Sequence, residues 1–244
     1  MRVGLFVTCL VDLMRPRIGL AALELLEGAG CEVLVPAQQT CCGQPGYNSG
    51  DRRAAQALAR KLLREFKDVD YVVVPSGSCA GTIKTHFPEL LSEFPELRAE
   101  VEWLAARTWE LTDFLVNVLE IERVPGRFRG AVTYHDSCSG LREMGVKAQP
   151  RTLLALVPGL VLREMTAPEQ CCGFGGTFAV KFGAISARIC DQKCDDVQAS
   201  AADAVVLGDL GCMLNIEGRL RRRGNRRTRV LHVAEVLAGG ADEG

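Results

Sequence analysis

Two pairs of directly adjacent cysteines, each followed by glycine, constrain this chain more than anything else in it: Cys41-Cys42-Gly43 and Cys171-Cys172-Gly173. Neighbouring Cα atoms across a trans peptide lie about 3.8 Å apart, short of the roughly 4.4–6.8 Å that an ordinary disulfide spans. A disulfide within either pair would be strained, whereas two thiolates on one metal centre suit the spacing. Gly43 and Gly173, having no Cβ, let the backbone turn sharply beside such a centre.

The pairs sit inside a larger repeat. Cys9 lies 32 positions before Cys41, and Cys138 lies 33 before Cys171. Cys79 follows Cys42 by 37 positions, and Cys212 follows Cys172 by 40. Segments 109–115 and 231–237 also resemble each other. The pattern is an internal duplication of about 130 residues, a tandem of two domains rather than a solenoid. Residues 1–121 and 131–244 form the two halves. Residues 122–130, with Pro125, Gly126 and Gly130, read as the linker.

Apolar, β-branched runs at residues 2–7, 31–35, 71–75, 131–134, 160–163 and 204–207 read as buried parallel strands. Residues 18–27 and 52–66 carry helical spacing. Alternating strand and helix predicts an α/β fold: two pseudo-symmetric, Rossmann-like halves, each with a short parallel sheet. Ligands in such sheets sit beyond the carboxyl ends of the strands. Every patterned cysteine follows a predicted strand. Cys9, Cys41, Cys42 and Cys79 are therefore expected to converge at one sheet edge, and Cys138, Cys171, Cys172 and Cys212 at the other.

Eleven cysteines in 244 residues are too dilute for a small disulfide scaffold. The apolar stretch 3–13 is interrupted by Asp12 and is followed by no secretory cleavage site. No run approaches the roughly 20 apolar residues of a transmembrane helix. The expected compartment is a reducing cytoplasm, where cysteines at this frequency mean metal, redox chemistry or packing. A net charge of -1 and 6% aromatic residues argue against a nucleic-acid partner.

The cysteine pattern resembles the CCG cysteine-rich domain found in heterodisulfide reductases and in the glycolate oxidase iron-sulfur subunit. Longer motifs are more similar to the lactate utilisation protein A family. They include Gln39-Thr40-Cys41-Cys42-Gly43-Gln44-Pro45, Pro75-Ser76-Gly77-Ser78-Cys79 and His135-Asp136-Ser137-Cys138. Cys171-Cys172-Gly173-Phe174-Gly175-Gly176 and Gly211-Cys212 complete the set. The resemblance implies an iron-sulfur subunit of a bacterial system that oxidises L-lactate to pyruvate. Its implied partners are a ferredoxin-like iron-sulfur subunit and a third small subunit. Where the wider CCG family has the first cysteine of a CxxC, this chain has Ser76 and Asp209. Four cysteines per half then fit an ordinary [4Fe–4S] or [2Fe–2S] centre, with Ser76 and Asp209 standing beside the clusters.

Simpler readings compete with these. Eight buried thiols could merely pack, but a doubled pattern with matched spacing is better read as metal binding. Cys₄ also suits zinc, yet the compact CxxC knuckles common in zinc sites are absent. Cys31 reads as packing, and Cys190 and Cys194, four apart on a predicted helix, as incidental thiols. His135, three residues before Cys138, is placed to donate a hydrogen bond near a cluster, or is simply a satisfied strand-end histidine. His86 and His232 have no partner legible in sequence. Arg219, Arg221, Arg222, Arg223, Arg226, Arg227 and Arg229 suit a solvated helix end, with docking to an acidic partner or an anionic membrane surface as the sharper alternative. Three functions result: an electron-transfer subunit, a catalytic subunit with an open iron at Ser76 or Asp209, and a zinc-stabilised scaffold.

Overall fold

The computed structural model describes residues 1–240. The first half runs β1 (Arg2–Leu5), α1 (Cys9–Met14), α2 (Pro16–Gly28), β2 (Glu32–Leu34), α3 (Gln44–Asn48), α4 (Arg52–Glu65), β3 (Tyr71–Val74), α5 (Gly77–Gly81), α6 (Phe87–Leu90), α7 (Arg98–Arg107), β4 (Thr108–Glu110) and α8 (Leu111–Asn117). The second runs β5 (Gly130–His135), α9 (Cys138–Arg142), α10 (Ala148–Ala155), β6 (Leu160–Leu162), α11 (Thr177–Lys181), α12 (Gly183–Ala199), β7 (Ala204–Leu207), α13 (Leu210–Arg222), β8 (Arg229–His232) and α14 (Val233–Ala238).

The duplication is visible in the topology. One sheet has the order β2-β1-β3-β4 and the other β6-β5-β7-β8. Every pairing is parallel, as in Val3 with Tyr71 and Val132 with Ala204. The order reverses between β1 and β3, and again between β5 and β7. Such switch points open the crevice in which α/β sheets bind ligands. Cys9 and Cys79 follow β1 and β3; Cys138 and Cys212 follow β5 and β7.

Local chemistry explains the elements. Asp51 caps α4 by accepting from Ala54 N at 3.0 Å, and Ala55, Ala59, Leu62 and Leu63 form its buried face. The repeated segments 109–115 and 231–237 each carry a strand end into a capped helix. Glu110 accepts from Thr112 N at 2.8 Å. His232 Nδ1 accepts from Ala234 N at 3.2 Å, while Glu235 accepts from His232 N at 3.0 Å. The capping residue differs between the repeats, but its place does not.

The halves are interlocked. Helix α8 of the first half packs on α10 of the second, and α14 packs back on α2. One continuous apolar core joins Val3, Leu5, Leu26 and Phe114 to Val132, Val206, Ile216 and Leu237. A second core, built mostly by the first half with Phe6, Phe66, Ile83 and Phe87, also takes in Met144 and Val146 of the second. Residues 122–130 are held as well: Gly126 N donates to Leu237 O at 2.8 Å, and Phe128 N to Pro158 O at 3.2 Å. No helix among the described residues is long and apolar enough to cross a membrane.

Candidate metal centres

The first centre is assembled from three segments of the chain. Cys9 opens α1, Cys79 lies within α5, and Cys41 and Cys42 come from the segment between β2 and α3. Cys42 Sγ lies 3.4 Å from Cys79 Sγ. Cys9 and Cys42 both hydrogen-bond with Cys41, and Gly43 N donates to Cys41 Sγ at 3.4 Å. These bonds stabilise a thiolate and bring Cys41 down to about 3, Cys42 and Cys9 contributing most and Gly43 less, against opposing burial. Cys9 is pushed up, first by its bond to Cys41 and then by burial. Cys42 is raised by its bonds to Cys41 and Cys79 and by burial.

The second centre repeats the arrangement. Cys138 and Cys172 hydrogen-bond with Cys171, Cys212 bonds with Cys172, and Gly173 N donates to Cys171 Sγ at 3.3 Å. Cys171 falls to about 2, its bonds to Cys138 and Cys172 contributing most, again against burial. Cys138 and Cys172 are raised, each first by its hydrogen bond to Cys171. At Cys212 the bond to Cys172 lowers the value, but burial and the charges of Asp209 and Cys171 together outweigh it. Cys42, Cys172 and Cys212 are buried, Cys9, Cys41, Cys79 and Cys138 half-buried, and Cys171 exposed, so each quartet has a dry floor and the second is the more open to solvent.

The CCG glycines are steric requirements. Gly43 and Gly173 have φ of 88° and 84°, a left-handed conformation that favours glycine. A Cβ on Gly173 would sit 2.6 Å from Ser186 O, and one on Gly43 3.3 Å from Ala55 O. Thr8, directly before Cys9, holds φ of 76°, a rare conformation for a β-branched residue and a local strain beside the first centre.

Ser76 and Asp209 meet each other at the junction of the halves. Asp209 Oδ2 accepts from Ser78 N at 2.8 Å and from Ser76 Oγ at 3.3 Å. Its Oδ1 accepts from Gly211 N at 3.2 Å, capping α13. Gly77 N donates to Gly208 O at 3.4 Å, and a Cβ on Gly77 would lie 2.7 Å from Gly140 Cα. The loops bearing Cys79, Cys138 and Cys212 are thus packed together by contacts that cross the duplication.

His135 is buried at the end of β5. One of its ring nitrogens and the sulfurs of Cys172 and Cys212 lie within 4.8 Å of one another. Burial first, and then the Lys193 ammonium, lower it to about 3, so the ring is neutral. His86 stacks on Tyr47 and faces Glu143 at 3.7 Å. Cys31, Cys190 and Cys194 are buried outside both quartets. The free thiols of Cys190 and Cys194 hydrogen-bond with each other and donate to the Asn215 and Ile216 carbonyls. In the arginine run, Arg219 grips Asp191 at 2.6 and 2.7 Å, and Arg223 pairs with Asp195.

Comparison with known proteins agrees with this geometry. The cysteine-rich domain family (CCG) matches twice, over residues 3–84 and 132–217. Lactate utilization protein A of Geobacillus kaustophilus is 49% identical over 237 residues, covering 97% of this chain and 98% of the relative. The chain belongs to the lactate utilization protein A family. Lactate utilization protein A of Bacillus cytotoxicus is 44% identical with the same coverage. A hypothetical protein from Helicobacter pylori shares the fold with a TM-score of 0.65 at 13% identity, over 97% of this chain and 48% of that one. In this chain the two cysteine-rich matches fall one in each half.

The eight patterned cysteines fall into two groups of four, as the spacing predicts. Soft thiolates, each group served by a backbone N–H aimed at its most acidic sulfur, form a donor set suited to iron-sulfur centres. The contact between Ser76 and Asp209 was not legible in sequence. It depends on residues 133 positions apart meeting across the interlocked halves.

Proposed function

We propose that the chain is an iron-sulfur electron-transfer subunit of a bacterial system that oxidises L-lactate to pyruvate. The carrying observation is the pair of thiol quartets at the two sheet edges, in a chain whose relatives are named for lactate utilisation. Cys9, Cys41, Cys42 and Cys79 hold one centre, and Cys138, Cys171, Cys172 and Cys212 the other. Bound clusters would supply one-electron redox chemistry; the chain supplies ligands, position and a dry floor. Gly43 N and Gly173 N steady the thiolate charge on Cys41 and Cys171. Cys171, open to solvent, is the side from which electrons pass to or from a partner. The partners in this reading are a ferredoxin-like iron-sulfur subunit and a third small subunit, in the cytoplasm.

The engagement of Asp209 favours this over a catalytic reading. Its carboxylate is occupied by Ser78, Ser76 and Gly211, so it is a poor donor for opening an iron to substrate. The test is anaerobic purification with metal and acid-labile sulfide analysis. Iron and sulfide in equal amounts, with a brown chromophore bleached by reductant, is the expected result. Stoichiometric zinc without sulfide would establish the scaffold reading instead, and lactate turnover by the isolated chain would establish the catalytic one.

A further inference from the structure

The two centres are near copies, so their differences are informative. His135 precedes Cys138 by three positions; Phe6 precedes Cys9 by three. Phe6 directly follows β1 and His135 closes β5, the equivalent strand of the repeat, and both side chains are fully buried. Phe6 fills its place as a hydrophobe, edge-on to Phe66 with ring centroids 6.0 Å apart. A phenyl ring therefore satisfies this position where nothing but packing is asked of it. The second half instead carries an imidazole with no hydrogen bond of normal geometry: the Pro168 carbonyl faces one nitrogen, and the other has no partner. Leaving a buried polar atom unpaired is unfavourable, a penalty that the phenyl ring of the first half does not incur.

A ring nitrogen of this histidine shares a 4.8 Å sphere with the sulfurs of Cys172 and Cys212. Imidazole nitrogen is a good donor to iron, and metal-bound nitrogen is no longer unpaired. We infer that His135 is an iron ligand of the second centre, which then has five protein donors where the first has four. Four thiolates already suit an ordinary cluster, so His135 would be a fifth donor from the chain to the second centre. The duplicated fold thereby holds two unequal centres, one all-thiolate and one with mixed ligation. The inference rests on the iron-sulfur reading above.

The test is pulsed EPR on the anaerobically purified, reduced full-length chain, grown with ¹⁵N-labelled histidine and compared with unlabelled protein. The expected result is a nitrogen coupling of the size of metal-bound imidazole, changed by the label and retained in His86→Gln. In His135→Phe, which copies the residue of the first half, that coupling disappears while the signal of the first centre stays. If His135→Phe fails to fold, the labelled parent and His86→Gln still decide, since His232 caps α14 through Nδ1 and faces the Pro75 and Gly208 carbonyls. Iron-loaded parent protein with no such coupling, or a coupling that persists in folded His135→Phe, overturns the inference and leaves the function standing. A chain that binds no iron overturns both.

Discussion

Replacing Asp209 by alanine tests whether the halves stand or fall together. In the second half the substitution removes the cap of α13, a loss of about 1 kcal/mol. Across the junction it deprives Ser78 N of its acceptor at 2.8 Å and Ser76 Oγ of one at 3.3 Å. An amide left unpaired in a largely buried setting costs about 1–3 kcal/mol. The loss is therefore roughly 3 kcal/mol, or about 6–12 °C in Tm for a chain of this length. Asp209→Asn keeps an acceptor oxygen but surrenders the charge assistance, so about 1–2 kcal/mol is expected. The assay is urea unfolding of the metal-free, reduced protein, followed by circular dichroism and by tryptophan fluorescence. Trp103 and Trp109 are the only tryptophans and both lie in the first half. Because the substitution is in the second half, the fluorescence midpoint should fall along with the dichroism midpoint. A fluorescence transition unmoved by Asp209→Ala would show that the junction does not couple the halves, and would refute the reasoning.

Two further perturbations read the same architecture. Burial holds the Glu110 carboxyl up at about 7, despite the lowering hydrogen bonds from Thr112 and Asp113. The folded chain thus keeps a proton that the unfolded chain, with a carboxyl near about 4.3, has already released. Glu110 therefore makes stability decline as pH climbs from about 4.5 to 7, after which its effect is flat. Glu110→Gln should remove that decline and gain on the parent at pH 8, measured as the difference between two urea-midpoint profiles; parallel profiles would contradict it. His232, brought down to about 4 by burial, contributes with the opposite sign over about pH 4 to 6.5 in both proteins, which is why the difference is the useful quantity. At the CCG turns, Gly173→Ala should destabilise more than Gly43→Ala, since its Cβ meets Ser186 O at 2.6 Å rather than Ala55 O at 3.3 Å. Both share a left-handed strain of about 1–2 kcal/mol, and equal losses in a thermal melt would refute the steric argument.

What could be read from sequence followed from periodicity and spacing. The strands at 71–74 and 204–207 are unbroken apolar runs with valine at their centre, and their burial needs no tertiary information to foresee. The grouping of the cysteines followed because each lies just beyond a strand end in a repeat. The fourth strand of each sheet was harder to see. Thr108–Glu110 and Arg229–His232 are short, mix charge with apolar residues, and lie where a helix begins, so only their likeness to each other stood out. Their capping residues, Glu110 and His232, take their meaning from burial, which sequence does not display.

The cross-half contacts explain why the duplication did not simply yield two beads on a string. Gly77 and Gly140 allow the Cys79 and Cys138 loops to approach until a Cβ on Gly77 would lie 2.7 Å from the opposing backbone. Neither glycine has a left-handed φ, so close approach, rather than turn geometry, is what their lack of a side chain serves. Asp209 then ties the Cys79 loop to the helix that carries Cys212. A displacement of any one of these three loops must strain the other two, because they share a packed backbone contact and a single carboxylate. The junction consequently does for the pair of thiol quartets what the CCG turn does within each of them: it fixes where the thiols point.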